Sequence, residues 1–339
     1  MDLGELKIPE SSENPEVPKG PEDIVRRIDS VLSFYTAKHK IKKKYHGVIR
    51  WFLRSLCDNA TDFVQEKYVI PDLVNFGFPL DETQEIFKEI KKEAKEIKKE
   101  VKRSEKLSIV QFPDVVVVSG QKKYFIGPEV FERLKTEYTG TDFEKDFHDM
   151  LIRYEVFGAT YQVYLPRDLL QTLRDRFCVT VEGFSSPFFN VMPRYGSMFK
   201  ENLTGSLGNF FMLEPEMFGG CSSMSEGNRP SGAFMEVNPP FLDVVIEKTW
   251  EKIKKFLNSG IPFAFLLVLP VWDHLEVIEE IRNNAESSLR FSGFFRYCSK
   301  FFTEVMFLSD YPVEIFFLRN TNRFQIDFDF LSKTRNAMH

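Results

Sequence analysis

At 339 residues, with 43% hydrophobic and 28% charged side chains, the chain has room for about two domains and for a sizeable core. Its 45 basic and 50 acidic residues give a formal charge of −5, so any polyanion site has to be local. Secreted, membrane-spanning and disulfide-scaffold classes are excluded: no secretory leader pattern opens the sequence, the longest apolar run (Ile261–Trp272) holds two prolines and falls short of the ~20 residues of a membrane helix, and Cys57, Cys178, Cys221 and Cys298 lack metal-ligand spacing.

Scattered thiols fit a cytosolic or nuclear protein. The 36 phenylalanines are expected mostly in the core, with a minority free to stack on bases. Residues 1–21 carry Pro9, Pro15, Pro18 and Pro21 among Ser, Glu and Lys, and read as a disordered tail. From Asp23 the pattern is helical, first through Ile24, Ile28, Val31 and Tyr35, then through Ile41, Tyr45, Val48, Phe52 and Leu56. Lys38, Lys40, Lys42, Lys43, Lys44, Arg50 and Arg54 crowd this stretch with no acid, interleaved with Tyr45 and Trp51. Such a run is either a solvated helix face or a phosphate-contacting patch. Lys40–Lys44 also has the composition of a nuclear import signal. Ile86, Ile90, Ala94, Ile97 and Val101 then predict an amphipathic helix over 81–106, with Lys and Glu filling its other faces. Residues 22–107 thus read as a helical domain.

At Ser108 the character changes. Ile109–Phe112, Val115–Val118 and Lys122–Ile126 read as strands, and helical patterns return over Pro128–Tyr138, Phe143–Phe157 and Leu165–Phe177. A strand at Val179–Glu182, a helix at Leu242–Leu257, a buried strand at Phe263–Leu269 and a strand at Val313–Leu318 follow. This alternation argues an α/β sheet with covering helices over residues 108–335.

No phosphate-cradling glycine loop, zinc-ligand histidine spacing or nucleophile elbow is present. What carries chemistry is Glu236-Val237-Asn238-Pro239-Pro240-Phe241, a strand end followed by a helix and an apolar strand. An exocyclic amine on a base is a poor nucleophile because its lone pair is delocalised into the ring. Two acceptors, the Asn238 side-chain carbonyl and the Pro239 backbone carbonyl, can bind its hydrogens and free that lone pair for attack on a sulfonium methyl. Pro239 and Pro240 stiffen the turn, since both fix φ and lack N–H groups. Phe241 can stack on an adenine face, an interaction worth roughly 1–3 kcal/mol. The plainer reading is a strand end where the prolines break the sheet and Phe241 packs inside.

Further motifs surround this turn in order. They are Leu151-Ile152-Arg153-Tyr154 leading to Phe157-Gly158, Leu165-Pro166, the run Val179-Thr180-Val181-Glu182-Gly183-Phe184-Ser185-Ser186-Pro187, Gly205-Ser206-Leu207-Gly208, Gly232-Ala233-Phe234, Pro270-Val271-Trp272, and Val313 to Asn320. With them, residues 115–320 resemble the cap-specific adenosine N6-methyltransferases of the phosphorylated-CTD-interacting-factor family. The resemblance implies a Rossmann-like class I methyltransferase core behind an N-terminal helical domain, with S-adenosyl-L-methionine as donor. It implies an enzyme acting on capped RNA that begins with adenosine; a nuclear location is expected, with the cytoplasm as the alternative, and neither a metal nor a membrane is expected. Glu182, Phe184, Ser185 and Pro187 would form the donor loop, and Gly205, Ser206 and Gly208 would allow close approach to ligand. Asn238, Pro239, Pro240 and Phe241 would hold the acceptor adenine. Lys42, Lys43, Lys44, Arg50 and Trp272 are the candidate RNA contacts.

The chain departs from the family pattern at Phe189, where Asn is usual and Asn190 follows one step later as the candidate donor contact. It departs again at Leu207 and near Met212. Trp250 and Trp272 are spaced like the pair of a WW module, but the residues between them read as helix, turn and strand, so no separate WW module is expected. Methylation of adenine in DNA or another RNA, and a catalytically silent RNA-binding protein, stay open as alternatives.

Overall fold

The computed structural model describes residues 31–33, 35, 38, 47–60, 62–100, 107–120, 123–157, 165–218, 232–272, 274–291, 296–298, 306–308 and 312–329. The predicted tail and Lys42, Lys43 and Lys44 lie outside these residues.

After helical residues 31–33, 35 and 38 come three helices: α1 (Gly47–Cys57), α2 (Glu66–Phe76) and α3 (Leu80–Glu100). The α3 stripe is buried as its spacing predicts, with Ile86, Ile90 and Ala94 packed against Tyr68, Val69 and Leu73 of α2 and against Val48 and Trp51 of α1. This is a small core of its own. However, α1 is shared, because Leu53 and Cys57 leave that cluster and enter the core of the sheet unit. Asn209 Nδ2 ties the same helix down by donating to the Leu56 carbonyl at 3.0 Å.

Strands β1 (Ser108–Gln111), β2 (Val116–Ser119) and β3 (Lys123–Ile126) form an antiparallel meander. Its Val116, Val118, Tyr124 and Ile126 point into the main core. Helices α4 (Pro128–Glu137), α5 (Phe143–Phe157) and α6 (Arg167–Phe177) come next, as expected from the sequence. The chain then lays down β4 (Val181–Glu182), β5 (Arg194–Ser197), β6 (Ser206–Asn209), β7 (Ala233–Val237), α7 (Asp243–Leu257), β8 (Phe263–Pro270), α8 (Glu276–Asn284) and β9 (Ser287–Phe291). A short pair, β10 (Arg296–Cys298) and β11 (Met306–Leu308), precedes β12 (Val313–Arg319).

Seven of these strands make one sheet in the order β6-β5-β4-β7-β8-β12-β9. The first five are parallel, and β12 runs antiparallel to both β8 and β9. A mostly parallel sheet is buried on both faces, and β8 is accordingly apolar and buried at every position. One face, through Met235, Val237, Phe263, Phe265 and Leu267, meets Val245, Trp250, Ile253 and Phe256 of α7. The other, through Phe234, Ala264, Leu266, Val268 and Phe317, meets Leu169, Leu170 and Leu173 of α6. Strand order reverses between β4 and β7, and the crevice beyond the carboxyl ends of strands at such a reversal is where open α/β sheets bind ligands.

Candidate active site at the strand-order reversal

The two motifs singled out in the sequence arrive side by side. In the β4–β7 ladder Val181 stands opposite Met235 and Glu182 opposite Glu236, and the Gly183 N–H extends the pairing by donating to the Glu236 carbonyl at 2.7 Å. Side chains alternate along a strand, so Phe234, Glu236 and Asn238 share the face toward α6, and Glu182 shares it with them.

Glu182 is 2% exposed. It is therefore no solvated strand end. Its Oε2 accepts from the Ser185 hydroxyl at 2.7 Å, and the Val191 N–H donates to Oε1 at 3.3 Å. The segment after β4 is bent back over the strand end by these bonds and by a turn in which the Phe189 N–H donates to the Ser186 carbonyl at 3.0 Å, with Pro187 inside it. Arg133 of α4 fastens the outside of the turn, donating to the Pro187 carbonyl at 2.7 Å and to Asn190 Oδ1 at 3.1 Å. The Phe184 ring points away into the core against Phe210, with centroids 4.5 Å apart. Phe189 is buried in the α6-side core, and the Arg167 guanidinium lies over its ring at 4.6 Å.

Electrostatically the site is short of positive charge. Burial pushes the Glu182 carboxyl up to about 7, against the opposing pull of its Ser185 and Val191 hydrogen bonds and of Arg167. Burial, and then the charge of Glu182, hold the Glu236 carboxyl well above the usual carboxylate range. Arg153 of the Leu151–Tyr154 motif pairs with buried Glu201 at 2.7 Å.

The Asn-Pro-Pro-Phe turn leaves β7 within this crevice. Asn238 is 4% exposed, and both prolines are buried. Asn238 Oδ1 is a buried oxygen that receives no hydrogen bond, although the residue has another partner. The Val245 and Ile246 N–H groups both donate to the Leu242 carbonyl at 2.9 Å as α7 begins. Phe241 meets Trp272, which follows β8, edge to face at 6.4 Å and 76°, and Trp272 stacks on His274 at 5.6 Å. Thus a predicted adenine contact and a predicted RNA contact are neighbours. Asp243, the first residue of α7, lies 3.8 Å from Arg50 Nη1 and 3.9 Å from His274 Nε2.

Other candidates are placed elsewhere. Ser206 and Gly208 belong to the edge strand β6, two strands across from Glu182, and Gly205 immediately precedes it. Gly205 has φ of 83°, and a Cβ there would stand 2.6 Å from the Pro193 carbonyl, so the local backbone alone accounts for this glycine. Arg50 pairs with Asp72 at 3.3 Å as well as with Asp243, and Lys38 pairs with Glu82 at 2.7 Å. Both of these members of the basic run have acidic partners. Trp250 is buried in α7, as a helix between the two tryptophans requires.

Two site residues, Arg133 and Arg167, carried no signal in the sequence, whereas Glu236 stood in the strand-end motif without a role of its own. Among the described residues no His, Cys, Asp and Glu cluster is arranged to hold a metal ion, and no helix is long and apolar enough to cross a membrane.

Residues 129–296 match the family model described as "Phosphorylated CTD interacting factor 1 WW domain". The matched span runs from α4 to the start of β10 and includes Glu182, Glu236 and Asn238–Phe241; it folds as helices and a mostly parallel sheet. A comparison with curated proteins finds no match.

Proposed function

We propose, from the match of residues 129–296 to the phosphorylated CTD interacting factor 1 family model, that the chain is similar to that family in activity and methylates N6 of adenosine at the start of capped RNA, with S-adenosylmethionine as donor. The observation that carries this reading is the meeting of Glu182 with Asn238-Pro239-Pro240-Phe241 at the ends of adjacent parallel strands, where strand order reverses. Ranked by position in the sequence, the seven strands run 3-2-1-4-5-7-6, the doubly wound nucleotide-binding order with one reversed strand inserted. That order supports a Rossmann-like methyltransferase core.

Two buried carboxyls on adjacent strands, with Arg167 acting on Glu182, suit a cationic ligand. When bound, S-adenosylmethionine supplies an electrophilic methyl group on a sulfonium. The chain's own residues do the rest. Asn238 and the Pro239 carbonyl accept the two amine hydrogens and direct the nitrogen lone pair, and Phe241 stacks on the adenine. Arg133 holds the loop from Pro187 to Asn190 in place. Alignment and fixed dipoles carry the rate, with no strong base required. The first nucleotide of a capped RNA is single-stranded, so presenting its adenine costs less than flipping one from a duplex. We place this action in the nucleus, in keeping with the family's description.

A catalytically silent RNA-binding protein is the second reading, favoured by the engagement of Glu182 with Ser185 and Val191. Mass spectrometry of capped and uncapped adenosine-initial RNAs after incubation with protein and donor separates the readings. A methyl group on the capped RNA supports the proposal. Equal turnover on uncapped RNA or on DNA moves the acceptor elsewhere. RNA binding without donor binding leaves the silent reading.

A further inference from the structure

Glu236 is placed where a buried acid is hardest to explain by folding alone. Along β7 it lies between Phe234 and Asn238; across the sheet it stands between Glu182 and the apolar Leu266. It is 4% exposed, and burial followed by the charge of Glu182 are the influences on its carboxyl. The groups around the pair are few. Ser185 and the Val191 N–H reach Glu182 from the loop, Arg167 acts on Glu182 from α6, and Asn238 is neutral. Two neighbouring buried carboxyls with so little compensation retain a proton until a cation arrives.

We infer that Glu236 makes the crevice selective for the positively charged sulfonium donor over its uncharged thioether product, and that donor binding expels a proton from the Glu182–Glu236 pair. The inference rests on the donor reading of the site given above. The two ligands share their nucleoside and amino-acid groups and differ by one methyl and one charge, so their affinity ratio isolates the contribution of the carboxyl. The displaced proton goes to buffer, and the ratio therefore moves toward the donor as pH rises.

Titration calorimetry of the full chain with S-adenosylmethionine and, separately, S-adenosylhomocysteine, between about pH 6 and about pH 8, tests this. In the wild type the donor-to-product affinity ratio should rise with pH, by at most about tenfold per unit for one linked proton. Glu236→Gln should lower the ratio on the order of tenfold or more and flatten its slope. A pH-independent ratio in the wild type, a measurement that needs no variant, overturns the inference, as does a variant that keeps the wild-type ratio and slope. Binding of neither ligand to the folded wild type instead fails the donor reading itself, and this inference with it.

Discussion

Arg133 and Asn190 lie 57 residues apart in the chain, and a guanidinium hydrogen bond of 3.1 Å joins them. A second bond from the same guanidinium reaches the Pro187 carbonyl at 2.7 Å. One side chain thus fixes both ends of the turn above Glu182, a task suited to the forked donor geometry of arginine. Arg133→Ala should weaken donor binding by between about tenfold and about a hundredfold, taking each of the two lost charge-assisted bonds as worth roughly 1.5 kcal/mol. Arg133→Lys should rescue little, because a lysine cannot span both acceptors. Calorimetry beside thermal unfolding checks this, and a fall in unfolding temperature with unchanged donor affinity would reduce Arg133 to a packing role.

Asn238→Ala tests the amine clamp. Loss of one acceptor at the reacting nitrogen should cut kcat by about 10²–10³. The side chain is small, so stability should fall by only about 1 kcal/mol. Single-turnover methylation with a denaturant titration measures both, and near-normal turnover would remove the clamp from the mechanism.

The pH dependence has a definite sign. Glu182 and Glu201 are both pushed up to about 7 by burial, Glu201 despite its Arg153 partner. An acid whose pKa is higher folded than unfolded contributes stability that is full below the unfolded value and is lost as pH rises through the folded one. The unliganded protein should therefore lose stability between about pH 4.5 and about pH 7, by roughly 3 kcal/mol per group. Glu182→Gln keeps an acceptor for Ser185 and should remove about a third of that slope in urea titrations across the window, because buried Glu236 also holds its proton there; an unchanged slope would mean that Glu182 is not as dry as its surroundings indicate.

Arg50 and Lys42–Lys44 should separate in their effects. Arg50 is 37% exposed and bound to Asp72 and Asp243, so Arg50→Ala should cost less than about 1 kcal/mol of stability and leave RNA binding nearly unchanged. Replacing Lys42, Lys43 and Lys44 with Glu should raise the KM for RNA, chiefly at low salt. A KM that ignores the triple replacement would assign the lysines to a solvated face.

Legibility in the sequence followed burial. β7, β8 and β12 were readable because strands covered on both faces are continuous apolar runs, and α3 because its stripe faces a core on one side only. β5 and β6 were not, being four-residue strands whose Gly196 and Gly208 break any pattern. α2 was hidden by Pro71 inside the helix. In the site, the Pro239-Pro240 stop and the acidic strand end at Glu182 announced themselves. Arg133 did not, since its acceptors lie 54 and 57 residues downstream and only the fold brings them near.

α1 is the common wall of two interiors, giving Val48 and Trp51 to one and Leu53 and Cys57 to the other. Severing the chain near Ser108 would leave each half with a greasy wound facing water. The two units should accordingly share one melting transition, and a fragment lacking the first helices should clump where the intact chain stays monodisperse.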